Sequence, residues 1–262
     1  KEEAQKLDSL LKTRDRTDFI NYCVSKTNEE RQELKKAYKE AMGKELNDVI
    51  IKELNGDFKD CVLCLFKDPV EFDSEELKKA MKGAGTNEET LIEILTSRTP
   101  DELKKINEKY QELYNVTLEQ DVVDDTSGDF QNLLKDLLGC TRSRNKKPKQ
   151  FHCSTIAKEI NDSVQAKKVD TSSIIRYFST LSPIELERVC QEYYKLSGKT
   201  IVEFIEKQFS GDFRDCLKAL VYSVISPTEY FATRVMKSIK GLGTDEALLT
   251  RVIISRYNKD MP

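Results

Sequence analysis

The sequence predicts an all-α chain built from one repeated unit, and three observations carry that expectation. The tripeptide Gly-Asp-Phe recurs at Gly56-Asp57-Phe58, Gly128-Asp129-Phe130 and Gly211-Asp212-Phe213, at intervals of 72 and 83 residues. Tyr38, Tyr110 and Tyr193 keep the same two intervals, and so do Gly43, Asn115 and Gly198. No sustained alternation of apolar and polar residues marks a strand. A fixed period of this length is the signature of an array of supersecondary units.

The second copy displays the unit most fully. Ser74-Glu75-Glu76-Leu77 is expected to open a first helix that stops at Gly83-Ala84-Gly85. Thr86-Asn87-Glu88-Glu89 reads as a capping box starting a second helix that buries Leu91, Ile92, Ile94 and Leu95. Thr99-Pro100-Asp101-Glu102 is a further box, with Pro at the first helical position, where its missing N–H costs nothing. The third helix ends near Tyr114-Asn115, because Asn tolerates the left-handed conformation of a helix C-terminus. Thr117-Leu118-Glu119-Gln120 caps a fourth helix, and Ser127-Gly128-Asp129 opens a fifth that runs to Gly139.

The other copies reuse this punctuation. Thr27-Asn28-Glu29-Glu30 and Ser182-Pro183-Ile184-Glu185 take the place of the box at Thr99. The expected organisation is therefore a first repeat over 1–72, a second over 73–139, a linker over 140–154, a third repeat over 155–227 and the start of a fourth over 228–262. The linker is rich in Arg142, Arg144, Lys146, Lys147 and Lys149 and poor in apolar residues, so it reads as a solvated connection whose charge suits anionic lipid.

Composition narrows the function. The chain of 262 residues is 34% charged with a net charge of −3, which argues against a basic nucleic-acid binder. No apolar run approaches the roughly twenty residues that span a bilayer. The seven cysteines are an odd number scattered through helical patterns, as in a reducing compartment. Cys61 and Cys64 lie one turn apart in an apolar run, and with His152 the only histidine a zinc site lacks ligands. No Ser-His-Asp arrangement or cofactor loop occurs, so no enzyme is expected. The chain opens at Lys1 without Met, and the expectation is that its true N-terminus is missing.

Two glycine loops carry the chemistry. Met81-Lys82-Gly83-Ala84-Gly85-Thr86 and Ile239-Lys240-Gly241-Leu242-Gly243-Thr244 each join the first two helices of a repeat. Glycines let a loop turn several carbonyls outward at one spot, and carbonyl oxygens suit a hard cation such as Ca²⁺. Carbonyls bear no net charge, so a carboxylate is also needed. Asp125, thirty-nine residues after Thr86, supplies one. No EF-hand spacing is present, and no strand precedes the loops as dinucleotide binding would require.

With these residues in view, the array resembles the annexin core. The likeness rests on the Lys-Gly-x-Gly-Thr loops, the acid thirty-nine residues on, the Gly-Asp-Phe signature and the long interval between the second and third repeats, and it covers essentially the whole chain. The resemblance implies a curved disc of five-helix repeats whose calcium loops dock reversibly on acidic phospholipid, in the cytoplasm and on membranes when calcium rises. It implies Met81, Gly83 and Gly85 carbonyls with bidentate Asp125 as ligands, Thr86 and Glu88 at a weaker accessory site, and Ile239, Gly241 and Gly243 as the carbonyl set of the fourth repeat. It also implies a polar centre at Asp73, Glu76, Arg98 and Arg251.

Departures from the pattern matter equally. In the first repeat Leu11-Lys12-Thr13-Arg14 stands where the glycine loop belongs, although Glu53 keeps the acid position. In the third, Ala166-Lys167-Lys168-Val169 replaces the loop and Gln208 the acid. Neither repeat is expected to hold calcium this way. In the fourth, the acid position falls at 283, beyond Pro262, so the repeat is expected to be incomplete, its Leu248, Leu249, Val252 and Ile253 partly exposed or covered by another chain, and its calcium binding weak or lacking in the chain as it stands. The alternative function is an annexin-fold cytoskeletal or scaffold protein acting through calcium-independent protein contacts.

Overall fold

The computed structural model describes residues 1–257 apart from Arg14, Ala84 and Leu242. Those three, named above within the first repeat's degenerate loop and the two glycine loops, lie outside the described residues.

The described residues form helices and no strands. The first repeat contributes α1 (Glu2–Leu11), α2 (Thr17–Val24), α3 (Asn28–Met42), α4 (Leu46–Glu53) and α5 (Gly56–Leu65). The second contributes α6 (Pro69–Ala80), α7 (Glu88–Ser97), α8 (Pro100–Tyr114), α9 (Leu118–Asp125) and α10 (Gly128–Leu138). The third contributes α11 (Gln150–Gln165), α12 (Thr171–Thr180), α13 (Pro183–Ser197), α14 (Ile201–Gln208) and α15 (Gly211–Ile225). α16 (Pro227–Ile239) and α17 (Glu246–Arg256) follow.

The repeated residues prove to be backbone devices. Gly56, Gly128 and Gly211 have φ of 59°, 64° and 61°, left-handed values that a side chain disfavours, which explains why the Gly-Asp-Phe motif opens the fifth helix each time. Gly43, Asn115 and Gly198 cap the third helices at φ of 65°, 54° and 67°, as expected for Asn at this place. Thr27, Thr99 and Ser182 each form the expected capping box with the Glu three residues on. Thr200 and Glu203 form another that the sequence reading passed over. Tyr38, Tyr110 and Tyr193 are buried in the core.

Two helix starts differ from expectation. α6 begins at Pro69, because the Asp68 carboxylate accepts from the N–H groups of Val70 and Glu71, and this leaves Ser74 buried inside the helix. α7 is capped by Asn87, whose side chain accepts from Thr90 N at 3.0 Å; the Thr86-to-Glu89 box does not form.

The chain divides into two compact units. One holds residues 1–72 and 232 onward, with a core of Leu7, Leu11, Phe19, Tyr38, Ile50 and Phe66. There α17 packs on α5 and Leu248 and Val252 are buried, contrary to the expectation that they would be partly exposed or covered by another chain; Leu249 is half-buried and Ile253 exposed, as expected. The other unit holds 73–231. In it α7 packs on α15, α10 on α12, and α11 on α13.

The linker also departs from the solvated reading. Ser143 N donates to Thr180 O at 2.7 Å, Arg142 Nη2 to Phe178 O at 3.2 Å, and Asn145 Nδ2 to Glu185 Oε1 at 3.1 Å. Burial pushes the Arg142 guanidinium down to about 10. α11 starts at Gln150 and takes in the last residues of the segment, because Cys153, Ile156, Ala157 and Ile160 give it an apolar face to bury.

Candidate calcium site

The loop over residues 81–87 is closed by its own ends. Asn87 N donates to Ala80 O at 2.8 Å, so the chain leaves α6 and enters α7 across a narrow gap. Between them Gly83 and Gly85 take φ of 107° and 99°. A Cβ at either glycine would meet nothing within 4 Å. The requirement is therefore conformational, not steric: only glycine adopts these angles without strain. Gly83 and Gly85 are solvent-exposed, as a site that must admit an external ligand demands.

The distant acid is brought to this loop. Thr86 Oγ1 donates to the main-chain carbonyl of Asp125 at 3.1 Å. Asp125 is the last residue of α9, and its side chain is exposed. Helix C-termini leave carbonyls unpaired and carry about half a negative charge. The C-terminal ends of α6 and α9 both lie beside the loop, and the exposed Asp125 side chain is carried on the second of them. Glu88, the expected accessory residue, is the first residue of α7.

The fourth-repeat loop over residues 240–245 repeats the design. Asp245 N donates to Ser238 O at 2.7 Å, and the Asp245 side chain accepts from Leu248 N at 2.9 Å. Gly241 and Gly243 take φ of 132° and 98°. Ile239, an expected carbonyl ligand, ends α16.

The corresponding loops of the other repeats are shut by the chain itself. In the first, Leu11 is the buried last residue of α1, and Thr13 Oγ1 donates to Leu10 O at 2.7 Å and Asp15 O at 2.9 Å. The Arg16 guanidinium then spans the gap, with Nη1 on Leu11 O and Nη2 on Glu53 O at 3.0 Å. A fixed cationic side chain thus joins loop to acid-bearing helix where the second repeat uses the Thr86 hydroxyl. Nothing in the sequence marked Arg16 for this role. In the third repeat, Ala166 N, Lys167 N and Lys168 N turn back onto Asp162 O, Val164 O and Ser163 O, with Lys167 at φ 53°.

Among the described residues no group of three or more His, Cys, Asp or Glu side chains gathers to hold a metal. Any calcium held by the described residues must therefore rest largely on main-chain oxygens.

The family model described as Annexin matches residues 2–65, 72–137 and 156–220. The chain belongs to the annexin family. It is 37% identical over 263 residues to annexin A4 of Bos taurus, spanning 99% of this chain and 82% of that protein. Annexin A1 of Homo sapiens is 35% identical over 253 residues, or 96% of this chain and 73% of that protein. Among solved structures, annexin III superposes with a TM-score of 0.91 at 33% identity, covering 97% of this chain and 80% of that one. A calcium-bound annexin (Sm)1 superposes at 0.89 with 28% identity, covering 97% and 78%.

Behind this annexin loop lies a buried polar group. Arg98 grips Asp73 bidentately, Nε to Oδ2 at 2.6 Å and Nη2 to Oδ1 at 2.8 Å, and both are nearly inaccessible. Burial alone would lower the Arg98 pKa, but the Asp73 carboxylate outweighs it and holds the guanidinium charged. Glu76 accepts from Lys79 at 2.8 Å. Arg251 is buried in α17 of the other compact unit.

Proposed function

We propose that this annexin docks reversibly on anionic phospholipid membranes through calcium held at the loop of Met81, Gly83, Gly85 and Asp125. Thr86 and Glu88 would serve an accessory site, and Ile239, Gly241 and Gly243 would give the carbonyl set of a second loop. The observation that carries the reading is the pairing of two exposed positive-φ glycines with an acid-bearing helix end, tied by the bond from Thr86 to Asp125. These residues fit a hard cation: neutral oxygens in number and one carboxylate. Calcium, when bound, supplies positive charge and coordination positions open to phosphate oxygens. The chain's own residues fix where that happens, since the glycines set the loop and Thr86 holds it against α9.

The repeats at 1–72, 73–139, 155–227 and 228–262, with the linker at 140–154, divide this labour, and the first and third contribute structure without calcium. We assign no catalytic step; the single histidine, His152, is exposed at the start of α11. The seven cysteines are free thiols, which supports a cytoplasmic setting.

Co-sedimentation with phosphatidylserine-containing liposomes at about 0.15 M salt tests the reading, since that ionic strength screens simple charge attraction. Pelleting with calcium and release by chelator are expected. The alternative, a scaffold working through calcium-independent protein contacts, draws on the two degenerate loops of the first and third repeats. Filament co-sedimentation unaffected by chelator, with no calcium-dependent liposome binding, would establish it instead.

A further inference from the structure

Phe151 is 86% exposed, the most exposed of the large apolar side chains described, and it stands in the first turn of α11 directly after the basic segment. Lys146, Lys147 and Lys149 are exposed beside it, and none of the three has a described ion pair. The carboxylates nearby are already engaged. Asp101 is paired with Arg144, and Glu185 accepts from Asn145 Nδ2 and from Ser182 N. The segment is also held in place by the bonds from Ser143 to Thr180 and from Arg142 to Phe178. Three free ammonium groups and an outward aromatic ring are thus presented on an anchored support.

We infer that Lys146, Lys147, Lys149 and Phe151 form a second, calcium-independent contact for an anionic bilayer surface. Lysines near such a surface are drawn by its negative potential, and an aromatic ring beside them enters the headgroup boundary. The exposed ring favours a bilayer over a nucleic acid or an acidic peptide, because an apolar side chain standing alone in a basic strip gains from a lipid interface and little from a soluble polyanion.

The position of the patch makes it distinct from the glycine loop. Arg144 pairs with Asp101 in the first turn of α8, just past the C-terminal end of α7, whereas the loop over 81–87 enters the N-terminal end of α7. The ten residues of α7 separate the two by about 15 Å along its axis. The third repeat agrees: the linker is bonded to Phe178 and Thr180 at the C-terminal end of α12, away from the loop that precedes that helix. The two are therefore separate contacts, and that comparison alone rests on the calcium reading.

Vesicle flotation in chelator tests the inference. With phosphatidylserine/phosphatidylcholine vesicles at about 0.05 M salt, the wild-type chain should float, and it should not float with phosphatidylcholine alone. Each lysine contributes about fivefold to partitioning, so the combined variant Lys146→Gln, Lys147→Gln and Lys149→Gln should bind about a hundredfold more weakly. Phe151→Ser should lose several-fold. All four side chains are exposed, so melting should be unchanged, and both variants should keep calcium-dependent binding at 0.15 M salt. No flotation of the wild type in chelator, or equal flotation of the triple variant, overturns the inference. So does retention on RNA or a soluble acidic peptide without retention on vesicles. Loss of calcium-dependent binding in every protein, with chelator-resistant flotation intact, would strike the calcium reading and leave this one standing.

Discussion

The hydroxyl of Thr86 is bonded to the main-chain carbonyl of Asp125 at 3.1 Å, across thirty-nine residues of chain. That bond turns a sequence interval into a place, since it sets a glycine loop against the end of the helix that carries an acid. Asp125→Ala should keep it, because the carbonyl is main-chain, while removing the charge. With an exposed side chain, the substitution should change stability by no more than about 0.5 kcal/mol. Calcium-dependent liposome binding through this loop should fall at least tenfold, read by co-sedimentation across a calcium titration. Unchanged binding would place the ion elsewhere.

The first repeat invites the converse experiment. Arg16→Ala removes the bonds to Leu11 O and Glu53 O, and a cost of about 1 to 2 kcal/mol is expected from two half-buried hydrogen bonds. Amide exchange over residues 12–16 should speed up. Calcium should not enter the loop that is freed, because the glycines are still missing. Protection that is unchanged in the variant would show that Arg16 does not hold the loop.

Loop geometry can be challenged at Gly85. At φ 99°, alanine would be strained by about 1 to 3 kcal/mol although space for its methyl exists. Gly85→Ala should lower the melting temperature and weaken calcium binding together. A stable variant with full calcium affinity would argue that the positive φ is dispensable.

The buried pair behaves differently from surface ion pairs. Asp73→Ala leaves the Arg98 guanidinium uncompensated in the interior, and a loss of about 3 to 5 kcal/mol is expected. Denaturant unfolding measures it. A loss below about 1 kcal/mol would mean that water or another group takes over.

Alkaline pH should also weaken the fold. Burial pushes the Cys23 and Cys190 thiols up to about 12. The unfolded chain therefore gives up these protons first, at about pH 8.5 to 9. The stabilisation is complete below that pH and is lost as pH rises towards 12, at about 1.4 kcal/mol per pH unit for each thiol. Urea midpoints measured from pH 8 to 11 should fall progressively, and flat midpoints would contradict the burial.

What the sequence made legible was local. Caps, left-handed C-termini and the φ-positive glycines of Gly-Asp-Phe are set by a few neighbouring residues, so Thr99, Asn115 and Gly128 announced themselves. Thr200 and Glu203 carried the same signal and could have been read. The misses are tertiary or depend on competing caps. Asp68 outcompeted Ser74 for the start of α6, and Asn87 displaced Thr86 as the cap of α7. Arg16 gave no sign, because its partners Leu11 and Glu53 are main-chain carbonyls brought together only by folding. The linker looked solvated from its charge, yet Arg142 and Asn145 are tied to α12 and α13. The burial of Leu248 and Val252 came from α5, nearly two hundred residues earlier in the chain.

Anomalous scattering from crystals soaked at high calcium addresses the proposed site most directly. One ion is expected among the carbonyls of Met81, Gly83 and Gly85 with the Asp125 carboxylate, and none at residues 11–14 or 166–169. An ion at either degenerate loop, or an empty loop at 81–85 with calcium bound elsewhere, would contradict it.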